Sequence, residues 1–222
     1  MRALLAVLQK DLLIEWRVRT RALALGCFAF TLLLLFAFAI GPDTVLLRKH
    51  AGAYLWMSLL LSSTLLLASS FQIEVEGGAL ERLRLVPVPP PALFYGKALA
   101  NTAQLVFLGA VAGLASLVLF DVSPVGSTLS LVLTLVLGAA GLAAPGTLYA
   151  ALTAALPARQ LLLPMLLFPL IVPALLAAVK STSLLLLGDP MSQAPSWQSL
   201  LVGFDVAYWS LCGVLFGKVV ET

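Results

Sequence analysis

The side chains that could do chemistry in this chain are few, and five charged ones gather in one short stretch. Between residues 74 and 91 the run EVEGGALERLRLVPVPPP sets Glu74, Glu76, Glu81, Arg82 and Arg84 around a glycine pair, Gly77 and Gly78. Leu80, Leu83 and Val86 recur behind those charges at helical spacing, so a short amphipathic helix is expected. The glycine pair permits a sharp bend before it, and the prolines from Pro87 to Pro91 stop it and stiffen the return through their fixed φ. A rigid charged helix on a stiff hairpin suits recognition: it can fit a partner's groove and pass on movement. A solvated connector is the plainer reading of the same spacing.

Elsewhere the parts for catalysis are scarce. His50 is the single histidine, which excludes two-histidine metal motifs, and no metal site is expected. It follows Arg48 and Lys49, as an interfacial polar residue would; a haem-iron ligand or proton carrier is the minority role. A phosphate-cradling G-x-x-x-x-G-K-[ST] loop is missing too, since YGKA around Lys97 and FGKV around Lys218 lack the upstream glycine and the hydroxyl. The chain is therefore not expected to split ATP itself, and no catalytic residue is assigned. Three polar side chains in the apolar runs stand out. Asp205 is a functional candidate because a carboxyl is expensive there, with a structural hydrogen bond weighed equally. Asn101 and Gln104 share a helix face and read as interhelical glue.

The elements that must hold these groups follow from composition. Hydrophobic residues make up 61% of the 222 and charged ones only 10%, against about 25% charged in soluble domains. Apolar runs of bilayer-spanning length occur at about 22–40, 51–71, 98–120, 128–156, 161–179 and 198–217, so the fold expected is all-α, a single six-span membrane domain over 1–222. Residues 1–21 form an amphipathic interfacial helix, with Leu5, Leu8, Leu12 and Trp16 on the apolar face, and 72–97 is the longest loop. The fourth run is too long for one straight span, so it tilts or breaks around Gly141 to Gly146. Pro164, Pro169 and Pro173 should kink or locally unwind the fifth. The stretches 41–50 and 121–127 read as turns, and KSTSLLLL before 188 as a short interfacial helix. Gly109 with Gly113, and Gly213 with Gly217, have a spacing that allows close helix approach, within the subunit or in a dimer.

Of the 13 lysines and arginines, all but Arg48, Lys49 and Lys180 fall on one side of such a topology, which places both termini in the cytoplasm. The net charge of +3 is thus about sidedness, and no nucleic-acid partner is expected. Cys27 and Cys212 lie in spans, where thiols are packing residues.

A resemblance joins these features. The order Glu76, Gly78, Leu80, Glu81, Pro87, then Gly96-Lys97 opening the next span, looks like the cytoplasmic loop of ABC-2 type permeases. KDLLIEWR, IGPD, GGALERLRLVPVP, GKALAN, LAAPG and LLFPLIVPALLAA, in this order, resemble the haem exporter protein B (CcmB) family over about residues 10–218. HAGAYLW and ASSFQ depart from that family's usual start and end of the second span. The resemblance implies a bacterial inner-membrane permease subunit without nucleotide site, paired with a second copy of itself and a separate CcmA-type ATPase that holds ATP and Mg2+. It further implies CcmC and CcmD in the complex, haem as possible cargo, and delivery by way of the chaperone CcmE. In that setting Glu74, Glu76, Gly77, Gly78, Leu80, Glu81, Arg82 and Leu83 form the ATPase-coupling segment. Rival readings are an ABC-2 permease for a drug, lipid or polysaccharide, a non-transporting scaffold, and, more distantly, an intramembrane enzyme.

Overall fold

Helices account for nearly every residue of the computed structural model, which describes residues 2–17, 19–71, 89–154, 156 and 159–221. In chain order they are α1 (Arg2–Arg17), α2 (Arg19–Ile40), α3 (Thr44–Ser70), α4 (Pro90–Leu119), α5 (Thr128–Thr153), α6 (Arg159–Leu187) and α7 (Ala194–Glu221). From α2 onward all six are long and apolar enough to cross a bilayer, and no strand occurs among the described residues. Lipid supplies no hydrogen bonds, so a chain this apolar satisfies its backbone by coiling. Short connections make sequential helices antiparallel neighbours. An even number of crossings returns α7 to the side from which α2 started, which is also the side of the 72–88 segment.

Helix ends depart from the sequence reading where local capping extends them. Gly41, at φ +76°, closes α2 with its N–H on the Ala37 carbonyl at 3.1 Å. Asp43 then opens α3 at once, its carboxylate accepting from the Val45 and Leu46 amides at 3.0 and 3.1 Å. Most of 41–50 is therefore helix and not turn. KSTSLLLL is likewise no separate interfacial helix: α6 runs on through it to Leu187 and stops at Gly188, whose φ is +113°. Asp189 then accepts from the Gln193 and Ala194 amides at 2.8 and 2.7 Å, tightening the entry to α7.

At two places where the sequence allows a break or local unwinding, the helix is continuous. α5 does not break around Gly141 to Gly146, although Pro145 lies inside it. Its glycines serve packing instead: a Cβ on Gly138 would enter the Trp56 indole, and one on Gly146 would enter Leu67. Nor does α6 unwind at Pro164, Pro169 and Pro173. Each proline removes one donor, but unwinding in lipid would strand more backbone groups than the single carbonyl each one frees. Leu163, Leu167, Ile171 and Ala174 anchor the helix to the core, while Pro169 and Pro173 face outward.

α5 is the centre of the bundle, packed by α3, α4, α6 and α7; α2 lies outside on α3 and α4. Trp56, 1% exposed, sits over Gly138 and donates to the Thr182 hydroxyl at 2.9 Å, joining α3 to α6. Each glycine pair divides its duty. Gly109 meets Leu135 and Gly213 meets the Tyr95 ring, whereas Gly113 and Gly217 have open space around them.

Candidate functional site

Glu74, Glu76, Gly77, Gly78, Leu80, Glu81, Arg82 and Leu83 lie outside the described residues, but both roots of their segment are described. Phe71 caps the end of α3, and Pro89 precedes α4, whose first turn is opened by Pro90 and Pro91. The roots are held by charge. Lys97, two turns into α4 and 1% exposed, donates to the Ser70 carbonyl at 3.0 Å and to the Asp11 carboxylate at 3.2 Å. Its Nζ also stands 4.6 Å from the centre of the Phe71 ring. Arg21, from the start of α2, donates to the Leu66 carbonyl at 3.1 Å and to the Ser69 hydroxyl. Two cations thus converge on the last turn of α3, where carbonyls have run out of helical donors and the helix dipole is negative.

Asp11 belongs to α1, and the seat for that helix is cut by a glycine. A Cβ on Gly96 would stand 2.9 Å from the Val7 Cβ and 3.1 Å from the Leu4 carbonyl oxygen, so the α1 backbone lies directly on α4. Leu4, Val7, Leu8 and Asp11 make the half-buried inner line of α1, while Leu5 and Leu12 are exposed. Asp11 therefore faces the protein, and of the apolar stripe read from the sequence Leu8 turns to the bundle and Leu5 and Leu12 to the surroundings, while the Trp16 side chain lies outside the described residues. Sequence reasoning assigned no partner to Lys97. The sequence put Lys97 at the end of the loop, just before the apolar run at 98–120; only the early start of α4 at Pro90 draws it into the span, where a lysine must be paired.

Deeper in the bundle the polar groups divide into bonded and unbonded. Asn101 donates to the Thr147 hydroxyl at 2.9 Å, linking α4 to α5. Gln104 is half-buried one turn further along. Gln198 donates to the Ser130 carbonyl at 3.1 Å and to the Thr134 hydroxyl at 3.0 Å, and Thr134 meets Ser181 at 2.9 Å, a chain through α5, α6 and α7. Asp205 differs. It is 9% exposed, and neither carboxyl oxygen has a hydrogen-bond partner among the described residues. Because α7 starts at Ala194, Asp205 lies about 16 Å along it, deeper than the apolar run suggested. A Cβ on Gly141 would stand 3.1 Å from its Oδ1, so no larger residue fits opposite without a shift. His50 is exposed, 6.1 Å from the Tyr54 ring centre, and belongs to none of these groups. Asp205 points into the bundle, while Pro169 and Pro173 face out.

No group of three or more His, Cys, Asp or Glu side chains able to hold a metal occurs among the described residues. What the geometry offers is a mechanical part: a loop whose two roots and neighbouring interfacial helix are tied together by buried charge. Comparison with known proteins gives this part its setting, for the chain matches the family model described as CcmB protein over residues 2–221. It belongs to the CcmB family. Among its relatives, the heme exporter protein B of Bradyrhizobium diazoefficiens is 34% identical over 95% of this chain and 98% of its own. That of Rhodobacter capsulatus is 35% identical over 77% and 78%, and that of Haemophilus influenzae 31% over 78% and 78%. The family match takes in nearly the whole chain, with the loop, its roots and the bundle inside it.

Proposed function

We propose that the chain is the permease subunit of an ABC transporter in cytochrome c maturation, moved by a separate CcmA-type ATPase through the 74–86 segment. Glu76, Glu81 and Arg82 give that contact its specificity, Leu80 and Leu83 its apolar grip, and Glu74 extends the charge. Gly77 and Gly78 permit a bend ahead of the contact residues. Nucleotide-driven closure of the ATPase pair, with ATP and Mg2+ held there, rocks the spans of two copies of this chain. The work serves haem delivery, either as export of haem or as release of the haem-loaded chaperone CcmE, in a complex with CcmC and CcmD. The subunit sits in the bacterial inner membrane with both termini cytoplasmic, as the distribution of lysine and arginine favours.

The observation that carries this reading is a full-length match to the CcmB family in a six-span chain whose sequence has no phosphate-cradling loop. Force transmission is favoured over a pore through one copy by the inward Asp205 and the outward prolines, which do not share a face. Replacing Leu80 and Glu81 together by alanine is expected to abolish coupled ATP hydrolysis and mature cytochrome c while the protein remains inserted. Purification with an ATPase subunit supports the reading; undiminished coupling in the double variant rejects the docking assignment.

A further inference from the structure

α1 is attached to the rest of the molecule mainly through one helix. Among the described residues it packs on α4 and, slightly, on α2, and on no other helix. The α4 contact is the Gly96 seat, where Leu4 and Val7 rest, and beside it the Lys97 to Asp11 pair at 3.2 Å. Apolar contact alone is a poor locator at a membrane surface, because lipid tails solvate leucine and valine as well as a helix does. The charge pair does discriminate, since a buried ammonium keeps a strong preference for its carboxylate and lipid tails offer no substitute. Lys97 satisfies a second demand with the same ammonium, the Ser70 carbonyl at the end of α3, and it lies over Phe71, the last described residue before the loop. One side chain therefore touches the helix leaving into the loop, belongs to the helix returning from it, and holds the interfacial helix beside both.

We propose that Lys97 is the positioning residue that makes the N-terminal helix and both roots of the 72–88 segment move as one body. Its mechanical consequence rests on the reading that an ATPase works the permease through that segment. Displacement of the loop then carries α1 with it, and α1 in turn reaches the start of α2, whose Arg21 grips the same last turn of α3. Without the pair, the loop would move and α1 would stay with the lipid surface.

The test uses the full chain with its complex in nanodiscs, with Cys27 and Cys212 replaced by alanine and spin labels at Leu13→Cys on α1 and Leu65→Cys on α3, both exposed positions. A single narrow distance is expected with Lys97, a distribution at least twice as broad with Lys97→Met, and recovery of the narrow one with Lys97→Arg. Asp11→Asn, which leaves the Ser70 contact and the bundle intact, should broaden it as well. In cells, Lys97→Met should lower haem-stained cytochrome c at least ten-fold while the chain still copurifies with its ATPase. A narrow distance in both Lys97→Met and Asp11→Asn overturns the inference, and so does a broadened distance with undiminished cytochrome c. Absence of an ATPase partner from the wild-type preparation would overturn the permease reading instead, and the distance measurement would still decide the clamp.

Discussion

Asn101 and Asp205 are both buried in the spans, yet Asn101 gives its amide to Thr147 at 2.9 Å while the Asp205 oxygens have no partner among the described residues. Removing the first should therefore cost stability and removing the second should not. Asn101→Ala is expected to lower the unfolding free energy in an SDS titration by about 0.6–1.7 kcal/mol, the range of interhelical hydrogen bonds in a bilayer. Asp205→Asn, of the same size against Gly141, should leave it unchanged or raise it by about 1 kcal/mol, because an unpartnered acid is a burden to the fold. If Asp205→Asn nevertheless lowers cytochrome c output, the carboxyl is held for function; if it destabilises, a partner exists that binds it in the native assembly. Of these two residues the sequence showed that both were exceptional. It could not show which was paired, because Thr147 is forty-six positions away from Asn101 in the chain and only the helix packing unites them.

At the level of elements, hydropathy located all six spans, and local chemistry set where they end. Arg48 and Lys49 looked like loop, yet Asp43 caps the helix that contains them. A charged side chain at the outer turn of a helix can reach water without breaking it. The glycines of α5 carried an ambiguous message as well, for a glycine-rich apolar run fits a break and a close contact equally. The Trp56 ring on Gly138 and the Leu67 side chain on Gly146 decide between them. Gly138→Val should force that indole aside, weaken its hydrogen bond to Thr182, and cost about 1–3 kcal/mol in the way overpacked cores do. Gly113→Val, with nothing within 4 Å of its Cβ position, should be nearly neutral in the same titration. Red-shifted tryptophan fluorescence in the first variant alone would locate the damage. Equal losses in both would mean that α5 needs glycine for its backbone and not for Trp56.

For the molecule as a whole the asymmetry that matters is between the two ends of the bundle. One end carries both ends of the described chain, α1, the roots of the 72–88 segment and the charges that bind them; the other carries the connections 41–43, 120–127 and 188–193, with the exposed pair of Arg48 and Asp121 joining α3 to the second of these. Such an exposed pair contributes little to stability, whereas the buried clasp of Lys97 stands at the end where an ATPase would push. The sidedness of lysine and arginine could be read without coordinates; the clasp could not, since its members come from three helices. If the end with the termini faces the cytoplasm, Met191→Cys, 77% exposed between α6 and α7, should react with a membrane-impermeant maleimide in intact spheroplasts. Leu156→Cys, 46% exposed between α5 and α6, should react only after the membrane is opened. Cys27 and Cys212 are first changed to alanine so that each result reports one thiol. The reverse pattern would put the loop where no ATP-driven motor can reach it, and the force-transmission reading would fall with the orientation.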